Sequence, residues 1–239
     1  MIWLEHTPNY AGVCLSGDRN DLASLTESIN LVVGEEGEYP GYELVRLRVL
    51  HLCNELNQAV KGQKEATLLP IGPERMSMNS LAINSTENNV YFRIRILWPE
   101  LLFLGFVLND FIELSAKNRQ HFWDPTPAKI RLFQSVIGEF LENTVGESKF
   151  RLLRSSLTPN YIGYYQNFFT QYIDYLNTEF LKLDKAKRLD NVSIVAKRVA
   201  NKDAKYMKIK MEIEKLAIPE ADSADHVEDT SGYPENVLW

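Results

Sequence analysis

The sequence predicts an α+β protein: a small, mainly antiparallel sheet covered by helices, followed by a predominantly helical C-terminal half. Three observations predict it. Short runs in which apolar and polar residues alternate are concentrated before residue 98 and are punctuated by Pro, Asn and Gly. The stretch Trp98 to Lys117 is almost wholly apolar, and a helix apolar on all sides has to be wrapped by other elements. Beyond Pro125 the apolar residues recur three and four apart, the period of helices.

In chain order, Ile2 to His6 and Gly12 to Gly17 read as two strands joined by the turn residues Thr7-Pro8-Asn9-Tyr10, an N-terminal hairpin. Leu22, Leu25 and Ile29 then follow helical spacing, with Asp18 or Asn20 as N-cap and Gly34 as the stop. A second helix is expected from Pro40-Gly41 to Val60, with Leu44, Leu47, Leu50, Cys53, Leu56 and Val60 as its core stripe and Gly62 closing it. Ala66 to Ile71, Ser80 to Asn84 and Val90 to Trp98 read as strands. The last would place Phe92, Ile94 and Ile96 on one face and Tyr91, Arg93 and Arg95 on the other, with Asn84 to Asn89 as a polar hairpin loop. Pro99 suits a first helical turn and Glu100 complements its dipole, so the apolar helix, 99 to 116, begins directly after the strand. Ile130, Phe133, Ile137, Phe140 and Leu141, then Phe150 to Leu157, continue the helical pattern. Tyr161, Tyr164, Phe168, Tyr172 and Tyr175 form an aromatic stripe, and Leu189 to Val199 fit a further basic helix. Met207, Ile209, Met211 and Ile213 alternate with Lys208, Lys210, Glu212 and Glu214, which predicts a strand over Tyr206 to Glu214. The tetrapeptide Thr-Pro-Asn-Tyr occurs at Thr7 and again at Thr158, and unrelated flanks make it a shared turn starter, not a repeat.

Composition narrows the class. At 239 residues, 45% hydrophobic and 24% charged, the chain can bury a full core. The opening residues lack a basic region followed by an apolar run, so neither a signal peptide nor a membrane anchor is expected, and the default location is the cytoplasm. The most apolar segment, Leu101 to Leu108, falls far short of the ~20 residues a bilayer requires. Cys14 and Cys53 belong to no CxxC or Cys/His cluster and read as reduced thiols. The net charge of −6 conceals a partition. Residues 1–60 carry nine acids and three bases, Lys182 to Lys215 eleven bases and five acids, and Pro219 to Trp239 six acids and no base. The expected organisation is an α+β core over 1–180, a basic helix and strand appended over 181–216, and an acidic tail over 217–239.

No catalytic, metal or nucleotide motif stands out, and no cofactor is expected. Asp110, beside Asn109, is the sharpest candidate, because an ionised carboxylate in an apolar helix costs several kcal/mol unless paired. Arg46, Arg48, Arg93 and Arg95 are its expected partners. His51 and Glu55 lie four apart on one helix, a spacing that can orient a general base, but no nucleophile motif accompanies them. Two histidines on predicted elements, His6 and His51, lack metal-site spacing. If the protein were an enzyme, a hydrolase or small-molecule cleft would draw on Glu43, Arg46, His51, Arg93 and Asp110. The acidic loop around Tyr39-Pro40-Gly41-Tyr42 lacks the pattern of a calcium-binding loop. Tyr91, Arg95, Tyr206, Lys208 and Lys210 are candidate binding residues, the last three within a basic segment that could follow a polyanion or nucleic acid and be masked by the acidic tail.

The runs Glu5-His6-Thr7-Pro8-Asn9, Ser16-Gly17-Asp18, Val33-Gly34-Glu35, Glu38 to Glu43 and Arg46 to Leu50, together with Asn89 to Glu100 and Leu108 to Phe111, resemble an uncharacterised bacterial family of unknown function. The resemblance spans roughly the first 145 residues, implies a bacterial cytosolic setting, and assigns no activity or site residue. The function expected from the residues is a non-enzymatic binding or regulatory protein, with a protein partner or a homodimer through the stripe Tyr161 to Tyr175 and no membrane partner.

Overall fold

The computed structural model describes residues 1–70, 88–118, 123–157, 162–166, 168–216 and 237–239. Four strands, β1 (Trp3–His6), β2 (Gly12–Gly17), β3 (Glu65–Pro70) and β4 (Asn88–Leu97), form an antiparallel sheet in the order β1-β2-β4-β3. Among the described residues eight helices accompany it: α1 (Arg19–Val33), α2 (Glu43–Val60), α3 (Trp98–Asn118), α4 (Pro125–Val145), α5 (Glu147–Arg154), α6 (Phe169–Leu181), α7 (Lys185–Asn201) and α8 (Ala204–Leu216). The α+β class is therefore as the sequence reads. The expected strand Ser80 to Asn84 and the second Thr-Pro-Asn-Tyr copy lie outside the described residues.

The pleat explains the sheet's two faces. Register pairs Leu4 with Leu15 and Leu15 with Ile94, and pairs His6 with Val13 and Val13 with Ile96, so one face is apolar and is covered by α1, α2, α3 and α4. On the other face the rows are Trp3, Ser16, Arg93 and Glu5, Cys14, Arg95. Gly12 is required where β2 meets β4, because a Cβ there would lie 2.0 Å from the Ile96 carbonyl oxygen. β4 runs straight into α3, which is buried over most of Trp98 to Ile112: Leu101, Phe103, Val107, Leu108 and Phe111 are all inaccessible or nearly so.

Helix starts follow their caps. Asp18 accepts from the Asp21 amide at 2.9 Å, Asp124 from Thr126 at 2.8 Å ahead of Pro125, and Asp184 from Lys187 at 3.0 Å. α2 departs from expectation in its buried face. Its core residues are Val45, Val49, Leu52, Cys53, Leu56 and Ala59, while Leu44 and Leu47 are 43% and 59% exposed. The true stripe continues from buried Tyr42 at steps of three and four, whereas a stripe drawn every third residue drifts around the helix.

The strand expected over Tyr206 to Glu214 is helix α8. Asp203 decides this: its carboxylate accepts from the amides of Lys205 at 2.9 Å and Tyr206 at 3.2 Å, an N-cap that starts a helical turn. The inward residues are then Tyr206 and Ile209, and the alternating partners Met207 and Met211 are 49% exposed. The basic segment 181–216, expected as a helix with a strand appended, is thus two helices. Val192, Val195, Ala196 and Val199 of α7 and Tyr206 of α8 belong to one continuous buried cluster with the residues that cover the sheet.

Candidate functional site

Adjacent residues on a helix are about 100° apart, so Asn109 and Asp110 on α3 face different neighbours. Asp110 is 1% exposed. The Tyr42 hydroxyl donates to its carboxylate at 2.5 Å and accepts from the Gly163 amide at 2.6 Å. Burial pushes the Asp110 carboxyl above its ordinary range, while hydrogen bonds from Tyr42 and the backbone of Tyr165 and Gly163, and the charge of Lys202, pull it down again. Burial and the neighbouring Asp110 push the Tyr42 phenol up. None of the four expected arginines is the partner. Arg46 donates to the Gly34 carbonyl at 3.0 Å, and Arg48 forms a half-buried network with Glu100 at 2.5 Å and Asp174 at 2.8 Å. Arg93 pairs with Glu5 and donates to the Ser16 hydroxyl, and Arg95 pairs with Glu65.

Lys202 occupies a cage of rings. Its ammonium lies 3.9 Å from the Tyr164 centroid, 4.8 Å from Tyr206 and 5.7 Å from Phe169. Burial, with the like charge of Lys210, lowers its pKa to about 8 against the pull of Asp110. Arg198 and Lys205 both lie over the Tyr175 ring. Cations of the basic segment thus rest on the aromatic stripe of the same chain. Tyr172 is fully buried in the core, so the dimer seam expected on Tyr161 to Tyr175 has lost that ring to the chain's interior; Tyr161 lies outside the described residues.

Asn109 faces a different setting, a cleft between α3 and α4 with a cavity of about 280 Å³. Its apolar wall comprises Leu102, Phe106, Ile137, Leu141 and Leu157, and its polar wall Asn109, Arg131, Gln134 and Ser135. Arg131 donates through Nη1 to the Asn109 side-chain oxygen and to Gln134 Oε1 at 3.0 Å. Gln134 Nε2 donates to the Gly105 carbonyl at 2.7 Å and to Asn109 at 3.1 Å. Gly105 and Gly138 complete the lining. A smaller cavity of about 250 Å³ lies beside Tyr42, between Glu38, Pro40, Leu114 and Gln166.

The residues grouped in a hydrolase cleft do not converge. Glu43 is exposed at the start of α2 and accepts from the Gly41 amide at 3.2 Å; His51 is exposed, and Glu55 pairs with Lys64 at 3.0 Å instead. Arg93 stands on the sheet's outer face and Asp110 lies in the core. The expected binding residues occupy three places. Tyr91 packs edge-on against Trp3 and Arg95 lies over Trp239 at 6.0 Å, both on the outer sheet face. Tyr206 is buried in the lysine cage. Lys208 is exposed on α8, and Lys210 pairs with Glu214 at 3.7 Å. The sequence reading missed Arg131, Gln134, Gly105 and Gly138. Its available signal was two glycines inside otherwise regular helices, a costly choice that calls for a reason.

Among the described residues no helix is long and apolar enough to cross a membrane, and no group of three or more His, Cys, Asp or Glu could hold a metal ion. The chain belongs to DUF6904, a family described as a domain of unknown function, whose sequence model matches residues 2–239. The family match therefore takes in the basic segment and the acidic tail, which the resemblance over the first 145 residues had left outside. No curated protein and no solved structure matches the chain.

Proposed function

We propose that this member of DUF6904 is a non-enzymatic binding domain whose ligand, a small organic molecule, occupies the cleft between α3 and α4. The observation that carries the reading is the pair of glycines that keep the cleft open. Gly105 and Gly138 have no positive φ, and a Cβ on Gly138 would meet nothing within 4 Å, one on Gly105 only Ile137 Cδ1 at 3.5 Å. Alanine would fit both positions, yet each glycine costs about 0.5–1 kcal/mol in a helix interior. What the glycines provide is room. A non-catalytic role is supported by the polar wall, whose two amides and one guanidinium bind and orient but do not exchange protons near neutral pH, and whose one hydroxyl, that of Ser135, donates to the Arg131 carbonyl at 2.8 Å rather than to a base. It is supported also by the protonation-shifted groups Asp110, Tyr42 and Lys202, which engage one another and aromatic rings. The free, buried thiols Cys14 and Cys53 support a reducing, cytosolic setting.

A thermal-shift screen of the wild type and Gly138→Leu against a metabolite library tests the reading. Ligand at a hundredfold excess over Kd stabilises the wild type by about 2.7 kcal/mol. Gly138→Leu should be more stable without ligand, because leucine is the better helix former, and should lose the response. Hits that survive Gly138→Leu unchanged, or a blank screen of the wild type, would overturn the reading.

A further inference from the structure

We infer that the cleft ligand is a carboxylate with a compact apolar body, held by the open fork of Arg131; this deepens the reading above and rests on it. The guanidinium is fixed at one nitrogen only. Nη1 is held by the Asn109 and Gln134 side-chain oxygens, and Gln134 is itself anchored on the Gly105 carbonyl at 2.7 Å. Nε and Nη2 meet no acceptor, and no carboxylate pairs with Arg131, among the described residues. Of the three N–H groups left over, the one on Nε and the adjacent one on Nη2 form the side of the fork that matches a planar carboxylate with two parallel hydrogen bonds.

The surroundings specify the rest of the ligand. Asn109 is 5% exposed, so the amide that orients Arg131 is locked in the core rather than mobile at the surface. Phe106, Ile137 and Leu141 offer the neighbouring wall no hydrogen-bonding group, which suits a hydrocarbon body. The volume of about 280 Å³ lies just under the ~300–1,000 Å³ of pockets for drug-sized ligands, which limits that body to a ring or a short chain. A half-buried cation without a counter-charge, beside an apolar cavity, is stabilised by an anion that brings its own apolar surface.

Isothermal titration of the full chain with benzoate and hexanoate, against benzyl alcohol and 1-hexanol, tests this. Each carboxylate should bind at least about tenfold more tightly than its alcohol, and Arg131→Gln should remove that preference. Arg131→Lys, which retains the charge without the fork, should keep part of it and guards against a purely structural loss. Gly138→Leu should weaken both classes of probe. Alcohols binding as tightly as carboxylates, or Arg131→Gln leaving carboxylate affinity unchanged, would overturn the anion inference while the cleft reading stood. Failure of both classes to bind the wild type would overturn both.

Discussion

Replacing Tyr42 by phenylalanine removes one oxygen from the interior and leaves the packing of the ring almost untouched. Tyr42 is 1% exposed and its ring sits 5.4 Å from that of Phe111, contacts that phenylalanine keeps. The lost hydroxyl had two partners, the Asp110 carboxylate at 2.5 Å and the Gly163 amide at 2.6 Å. A hydrogen bond to a charged group is worth about 1.5–3 kcal/mol, and a buried donor left without an acceptor costs about 1–3 kcal/mol. Because the two share one atom and are not additive, the expected loss is about 3–4 kcal/mol, a large part of the roughly 5–15 kcal/mol that holds a protein folded. The loss should depend on pH with a definite sign. Asp110 already has a raised folded pKa, so it favours the folded state below the ordinary carboxylate value, and that contribution disappears as pH rises through the folded pKa. Removing the Tyr42 donor raises the folded pKa further, so the penalty should be largest near neutral pH and shrink as pH approaches about 4. Urea unfolding of the wild type, Tyr42→Phe, Asp110→Asn and the double variant, each followed across that pH range, measures the loss and the coupling. A Tyr42→Phe penalty below about 1 kcal/mol near neutral pH, or one that does not change with pH, would refute the argument.

Three further outcomes are expected. Arg48→Met should destabilise by about 3 kcal/mol in urea unfolding, because it leaves Glu100 and Asp174 facing each other in a half-buried site with their shared cation gone. Burial among Tyr10, Trp98 and Phe140 lowers the His6 pKa, so stability should fall as pH drops below about 6.5, where the unfolded state binds the extra proton; His6→Gln should flatten that slope in pH-dependent melting curves. Lys202, with a folded pKa near 8 against an ordinary 10.5, should make the protein gain stability as pH rises between those values, and Lys202→Met should remove the gain.

Much of the local structure was legible. The hairpin, α1 with its Asp18 cap and Gly34 stop, the two faces of β4 and the apolar α3 all follow from periodicity and caps contained in a dozen residues. The errors have local causes as well. Ile209 and Ile213 fit both an alternating and a helical pattern, and the Asp203 cap that decides between them stands outside the alternating run. In α2, leucines at every third position outnumbered the valines of the true buried face. The site was less legible, because a glycine inside a helix reads as a defect until a cavity is seen beside it.

The sequence by itself determined the class of the fold, the polarity of each strand face and the need to wrap residues 98–117, because these depend on the side chains of one segment and its contact with water. It also located Asn109 and Asp110 as polar groups in a place that demands partners. Only the tertiary structure decided which partners those are. Asp110 takes a tyrosine 68 residues away, Asn109 an arginine 22 residues away, and basic side chains of the C-terminal segment rest on the aromatic stripe that precedes it. The physical reason is that several arginines and tyrosines could each offer a donor to the same buried carboxylate. The choice among them is made by the directions in which the packed helices hold their side chains, and no single segment contains that information.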